Sequence, residues 1–341
     1  MTDRDNQIRR RIRVTGTVQG VGFRPWVYRL ATRRGLTGYV LNDTEGVLIE
    51  VQGPASDVEN FAAALRDKGD SRDSGEDRPP LARIATCEET NIALDDDAAF
   101  EIRLSQSPTS ATTDVSPDMV ICDDCRRELL DPADRRYRYP FINCTNCGPR
   151  YSIILDVPYD RPRTTMQRFR MCPDCQREYD DPADRRFHAQ PNACPVCGPR
   201  LSLVDAQGRA IACEDPVEFV RQQLLDGRLV VIKGLTGYHL ACDARSEAAV
   251  TELRRRKHRD EKPLALMVAD VEQAAQLVHL DEPSRRLLES PERPIVLIPR
   301  RGDATVARET APRSLYLGLM LPYAPLHVLL FDGGMAPLVM T

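Results

Sequence analysis

Eight of the eleven cysteines stand as four Cys-x-x-Cys pairs: Cys122 with Cys125, Cys144 with Cys147, Cys172 with Cys175, and Cys194 with Cys197. Eighteen residues separate the first pair from the second, twenty-four the second from the third, and eighteen the third from the fourth. C-x2-C-x18-C-x2-C lies in the range of zinc ribbons, where four thiolates close a tetrahedral shell and leave no position open to substrate. The chemistry expected is therefore structural, with two Zn2+ ions each organising a small module. Duplication favours pairing within each repeat, although a swapped arrangement across the 24-residue gap would satisfy the same spacing. His188 is near the second set, but its repeat equivalent is Arg138 and both shells are already full, so packing and lining a substrate passage are both open to it.

A second chemical segment is TVQGVGFR, residues 17–24. Gly20 and Gly22 let the backbone turn so that the N–H groups of Gln19, Gly20, Val21, Gly22 and Phe23 can share one concavity, and a following helix would add its positive N-terminus. Arg24 would stand at that helix start, able to clamp two phosphoryl oxygens with its planar fork. Read alone, the same segment also suits a plain glycine-rich turn carrying a surface arginine. A third segment draws on lysine, of which the chain has only four among 47 basic residues. Three of them, Lys233, Lys257 and Lys262, fall between 233 and 262. Lys233-Gly234 at a strand end, with Lys257, Arg259 and Lys262, could converge on nucleotide phosphates, or could be a solvated basic helix end.

These residues need elements to hold them. Apolar alternation at Ile12 and Val14 predicts a strand, residues 16–22 a loop, and residues 25–34 a helix with proline in its first turn. A hairpin around NDTEG joins strands at 40–41 and 47–51, and a helix at about 55–66 carries Val58, Phe61, Ala62 and Leu65 on one face. Strands at 82–88 and 100–104 complete a β-α-β-β-α-β, ferredoxin-like order. Residues 67–80 and 105–118 are polar and punctuated by proline, glycine or serine, and read as linkers. From 122 to 204 the chain repeats itself with a period of 50 residues, DPADRR recurring at 131–136 and 181–186. Beyond 215, helices and strands alternate: a helix to 226, a strand at 229–233, a helix at 246–257, a strand at 264–268, helices within 270–289, a strand at 295–299 and a helix at 325–330. The run at 338–340 opens another strand, so a domain stopping at Thr341 is expected to be incomplete.

Composition narrows the classes. The 341 residues allow two to three domains. A formal charge of −4 gives no global attraction to nucleic acid or anionic lipid. Residues 122–200 hold fourteen arginines against twelve acidic residues, and eight thiolates with two zinc ions add −4, so counterion release on nucleic acid would be small. No apolar run approaches the roughly 18–20 residues of a membrane span, and the N-terminus lacks a secretory apolar stretch, so the chain reads as cytoplasmic. Cys87, Cys213 and Cys242 lie outside the pairs and are expected to be small buried residues.

VQGVGFR after the first strand, Asn42 in YVLNDTEG after the second, and the element order together resemble acylphosphatase over 8–104. That resemblance implies that Arg24 and the loop amides bind phosphate and that Asn42 orients the attacking water. The four CxxC pairs, KGxxGxHLACDA, KxRxxKPLALM, RPIVL and LPYAPLHVLL extend the likeness. As a whole the chain resembles the N-terminal part of the HypF carbamoyltransferases of [NiFe]-hydrogenase maturation. The implied architecture is an α+β multidomain chain: an acylphosphatase-like domain at 8–104, a linker at 105–118, two four-cysteine zinc-finger repeats at 119–204, and an α/β YrdC-like domain at 215–341. The resemblance places the nucleotide and carbamate at Lys233, Gly234, His239, Lys257, Arg259 and Lys262. It implies hydrolysis of carbamoyl phosphate, carbamoyl-adenylate formation from ATP with Mg2+, and transfer of the carbamoyl group to the partner HypE, with no nucleic acid or membrane involved. Because a Thr-Ser-Gly-Asn segment would begin at Thr341, hydrolysis and zinc binding are expected of this chain and adenylation is not. A stand-alone acylphosphatase with a zinc-ribbon docking module is the alternative reading, and a tRNA-modifying protein a more distant one.

Overall fold

Strand β1 (Gln7–Thr17) forms where apolar residues alternate with arginine, Ile12 and Val14 turning fully inward while Arg9, Arg11 and Arg13 face the other way. The computed structural model describes residues 6–66, 78–79, 81–105 and 116–341. Two compact units are present, one of residues 1–118 and 143–198, the other of 119–142 and 199–341.

In the first unit, β1 is followed by α1 (Phe23–Arg33), the hairpin β2 (Thr37–Asp43) and β3 (Gly46–Pro54), α2 (Ala55–Arg66), β4 (Arg83–Ile92) and β5 (Phe100–Ile102). The sheet order is β4-β1-β3-β2-β5. The central β1 pairs antiparallel with β3, Ile12 opposite Ile49 and Val14 opposite Val47, so the inward residues of both strands share one face. Against that face α1 packs Trp26, Val27, Leu30 and Ala31, and α2 packs Val58, Phe61, Ala62 and Leu65. The expected order is realised, and the strand expected at 100–104 is β5, which ends at Ile102 and lies parallel to β2. The opposite face is polar and ionic: Arg9 and Arg11 both bind Glu50, at 2.9 and 2.6 Å, and Arg13 binds Asp43 at 2.8 Å. Of the segments read as linkers, 67–77, 80 and 106–115 lie outside the described residues.

Each cysteine repeat opens with a helix that starts just after its first cysteine, α3 (Asp123–Leu130) in one copy and α4 (Pro173–Asp180) in the other. The second unit continues with α5 (Pro216–Leu225), β6 (Val230–Lys233), β7 (Tyr238–Asp243), α6 (Glu247–Lys257), β8 (Ala265–Met267), α7 (Val271–Leu277), α8 (Glu282–Glu289), β9 (Val296–Pro299), β10 (Tyr316–Met320), α9 (Pro325–Phe331) and β11 (Leu338–Met340). Aspartate or serine caps four of these helices: Asp215, Ser246, Asp270 and Asp281 accept from first-turn amides of α5, α6, α7 and α8. The six-stranded sheet runs β6-β7-β11-β8-β10-β9, and only β8 and β10 are parallel neighbours. The strand opened at 338–340 thus lies inside the sheet, between β7 and β8. Strands β7 and β10 are additions to the pattern read from sequence. Cys242 is buried as expected, but Cys87 and Cys213 are only half-buried, Cys87 because it lies on β4 at the sheet edge.

Candidate functional site

The glycine loop leaves β1 at Thr17 and enters α1 at Phe23. Gly20 and Gly22 both take left-handed backbone, φ 73° and 77°, and Gly22 is the N-cap of α1 without any side-chain cap. Val21 and Phe23 send their side chains into the core. Gln19 does the same with its amide, donating to the carbonyls of Asp43 and Gly46 at 2.8 and 2.7 Å and accepting from the Tyr159 amide at 3.2 Å. The loop therefore offers backbone rather than side chains. Among the described residues the N–H groups of residues 20–24 find no acceptor, and they are gathered at a helix N-terminus. Such a cluster of donors is suited to an anion.

Arg24 stands in the first turn of α1, 7% exposed. In the amide orientation that satisfies both groups, Asn42 Oδ1 accepts from Arg24 Nε and Nη2 at 3.2 Å each. The same Nη2 donates to Asp160 Oδ1 at 2.7 Å, and Nη1 to Ser105 Oγ at 3.4 Å. Sequence reading named Arg24 and Asn42, and the structure brings them together. It did not find Asp160, which lies between the two cysteine repeats and has no local motif.

Gly20, Gly22 and Arg24 share a cleft with Thr145, Arg150, Tyr159, His188, Ala189 and Gln190, so the cysteine-repeat segment of this unit supplies one wall. Arg150, 2% exposed, ties that wall to the loop. Its Nε donates to the Gly20 carbonyl, and its two terminal nitrogens to the carbonyls of Cys144, Thr145, Cys147 and Pro149. His188 borders the cleft, held down to about 4 by burial and by the nearby charge of Arg24.

The cysteines group as duplication favours. The thiols of Cys172, Cys175, Cys194 and Cys197 lie within 4.8 Å of one another, as do those of Cys122, Cys125, Cys144 and Cys147. Within the second set, Cys172–Cys194, Cys194–Cys197 and Cys175–Cys197 separations are 3.7, 3.8 and 3.6 Å. Four thiolates at about 2.3 Å from one ion in a tetrahedron stand about 3.8 Å apart, whereas a disulfide would bring two sulfurs to about 2.0 Å. The residues thus fit a four-thiolate metal. Burial raises the Cys172 thiol, but bonds from the Cys175 amide and from the other three thiols outweigh it and bring it to about 7.

In the second unit, Lys257 Nζ and Arg259 Nη1 both donate to Thr341 Oγ1, at 2.9 and 3.4 Å. His239 Nε2 shares a hydrogen bond with the Tyr323 hydroxyl at 2.9 Å and is held below its usual range by burial and by Lys257. Gly234 passes so close that a Cβ there would stand 2.8 Å from His239 Nε2. The side chains of Lys233 and Lys262 are exposed, Lys233 lying over the Tyr238 ring at 4.8 Å, while the Lys262 carbonyl accepts from Arg259 Nε at 3.3 Å. Cys242 is pushed up to about 12 by burial and Asp243, an inert thiol.

A family model for acylphosphatase matches residues 10–102, one for the HypF finger matches 121–154 and 171–204, and the Sua5/YciO/YrdC model, described as telomere recombination, matches 222–341. The carbamoyltransferase HypF2 of Cupriavidus necator is 50% identical over 328 residues, 95% of this chain. The chain is similar to HypF along nearly its whole length. HypF of Rhodobacter capsulatus is likewise 50% identical, over 332 residues covering 97% of the chain. A crystal structure of full-length HypF in a phosphate- and nucleotide-bound form superposes with a TM-score of 0.90 at 44% identity over 98% of the chain. The chain spans about two-fifths of these HypF proteins, 39% and 42% of the two sequences and 42% of the crystallised chain. The likeness runs through the cysteine repeats and the second unit as well as the acylphosphatase segment, which is more than a stand-alone acylphosphatase with a docking module would share. Among the described residues, no helix is long and apolar enough to cross a membrane.

Proposed function

We propose that this chain hydrolyses carbamoyl phosphate at the Arg24 loop, supplying carbamate for the carbamoyl transfer after which its HypF relatives are named. The observation that carries the reading is a buried guanidinium in the first turn of α1, against Asn42 and beside the five amides of residues 20–24, which have no acceptor among the described residues. An acyl phosphate brings its own good leaving group, so the site needs positioning and charge stabilisation rather than a strong base. The phosphoryl oxygens take the amides of residues 20–24 and the fork of Arg24. Asn42 holds a water in line with the phosphorus. As the water oxygen bonds to phosphorus, the bond from phosphorus to the carbamoyl oxygen breaks, the water proton passes to phosphate, and carbamate leaves.

The two four-cysteine clusters hold Zn2+ in this reading, each ion linking distant parts of one repeat and leaving no ligand position for chemistry. Lys257 and Arg259, with His239, Gly234, Lys233 and Lys262, are this chain's part of the surface for ATP with Mg2+, on which a full-length HypF protein would adenylate carbamate. HypE, in the cytoplasm, would receive the carbamoyl group. The first assignment is tested by phosphate release from carbamoyl phosphate. Arg24→Ala and Asn42→Ala are each expected to lower kcat/KM roughly 10²–10³-fold. Activity that survives Arg24→Ala would sink the reading.

A further inference from the structure

The two cysteine repeats share a backbone but present different side chains at one equivalent position. Arg138 and His188 both sit in the left-handed region at φ 54°. Each donates its amide to the carbonyl nine residues before it, Arg138 to Leu129 at 2.8 Å and His188 to Tyr179 at 3.0 Å. The backbone conformation, unfavourable for both residue types, is therefore a property of the repeat. Arg138 uses it to pair with Asp215 and Asp332, at 2.9 and 3.4 Å. His188 instead borders the cleft that holds Arg24.

The other polar side chains that this segment turns toward the cleft are already committed. Thr145 donates to the Arg185 carbonyl, Arg150 to the carbonyls described above, and Tyr159 to Pro149. Gln190 accepts from the Arg161 amide and donates to the His188 carbonyl. The His188 ring packs on Phe187 and Tyr179, centroids 4.6 and 4.9 Å away, and among the described residues neither of its nitrogens has a hydrogen-bond partner. At neutral pH the ring is uncharged, so in either tautomer one nitrogen keeps a lone pair.

A carbamoyl group differs from an acetyl group by an NH2 in place of a methyl. We propose that His188 is the specificity-determining residue for the acyl end of the substrate, accepting a hydrogen bond from the carbamoyl NH2 of a molecule anchored by its phosphate on Arg24 and the loop amides. This rests on the reading of that loop as a carbamoyl-phosphate hydrolase. A methyl group in the same place leaves the imidazole nitrogen unpaired in a desolvated cleft, which disfavours acetyl phosphate.

The test measures phosphate release from carbamoyl phosphate and from acetyl phosphate by the full, metal-loaded chain. His188→Gly removes the ring and suits the left-handed backbone, and His188→Asn also tolerates that backbone while restoring an acceptor. For His188→Gly, kcat/KM on carbamoyl phosphate is expected to fall about tenfold with acetyl phosphate within about threefold, and His188→Asn should recover part of the preference. Equal losses on both substrates, or an unchanged ratio, overturn the assignment while Arg24→Ala still abolishes turnover. If the unaltered chain releases phosphate from neither acyl phosphate, or Arg24→Ala leaves release intact, the hydrolase reading fails and the role of His188 falls with it.

Discussion

Arg24 and Asp160 form an ion pair at 2.7 Å with side chains only 8% and 17% exposed. The carboxylate occupies one edge of the guanidinium fork that a phosphoryl group would use. A bound phosphate must share or displace it, because two anions on one fork repel. Asp160→Asn keeps the shape and drops the charge, so inorganic phosphate should inhibit roughly three- to tenfold more tightly. Inhibition constants for phosphate on the two proteins check this. Weaker inhibition would mean that Asp160 holds Arg24 in its working orientation.

Arg150 gives its protons to carbonyls on both sides of one gap, the loop at Gly20 and the segment carrying Cys144, Thr145 and Cys147. Arg150→Met keeps much of the bulk and strands those carbonyls. The variant should lose at least about 2 kcal/mol of stability. Because Gly20 then lacks its anchor, phosphate release should drop at least about tenfold, mainly in kcat. Denaturant titration alongside steady-state kinetics separates the two, and a stability loss without a kinetic one would disprove the coupling.

Metal content offers an independent check. The native chain should carry two zinc ions by elemental analysis, and Cys194→Ser, which breaks one four-thiolate set, should carry about one. His188 and Gln190 lie in the loop closed by that set, so the same variant should also lose phosphate release. Retention of two tightly held ions would show that three thiolates suffice.

His327 makes stability depend on pH. Its ring is fully buried on α9, 4.4 Å from the Tyr323 ring and 6.0 Å from that of His239, and among the described residues neither of its nitrogens has a partner. Burial, with a smaller contribution from His239, lowers it to about 3. Between that value and about 6.5 the unfolded chain takes up a proton that the folded one refuses, so stability rises with pH through the window and is lost as pH falls. His327→Leu lacks that proton, and its melting temperature should vary less steeply between pH 6.5 and 4 than the parent's. Parallel curves would show that His327 takes up its proton equally in the folded and unfolded states.

Much of this was legible from residue spacing, and the exceptions have physical reasons. Ile12 and Val14, the face of α2 and the CxxC intervals are local patterns, and period and ligand count determine what they become. Arg24 and Asn42 were also readable, because a βα turn and a hairpin strand place them predictably. Strand β7 hides in YHLACD, where polar and apolar residues do not alternate, and β10 carries Gly318 in mid-strand. Asp160, Arg150 and His188 come from a different stretch of chain than the loop they face, and no periodicity encodes a meeting across more than a hundred residues.

The position of β11 has a consequence for biosynthesis. Residues 338–340 hydrogen-bond to β7 on one side and β8 on the other, so β11 is an interior strand made after both of its neighbours. The five-stranded sheet of the first unit needs nothing beyond Ile102. At synthesis rates of about 5–20 residues per second, roughly 5–20 s pass between the end of β7 at Asp243 and the start of β11 at Leu338. Until β11 arrives, β7 and β8 each present an unsatisfied edge on the ribosome, which exposes the second sheet to wrong pairing.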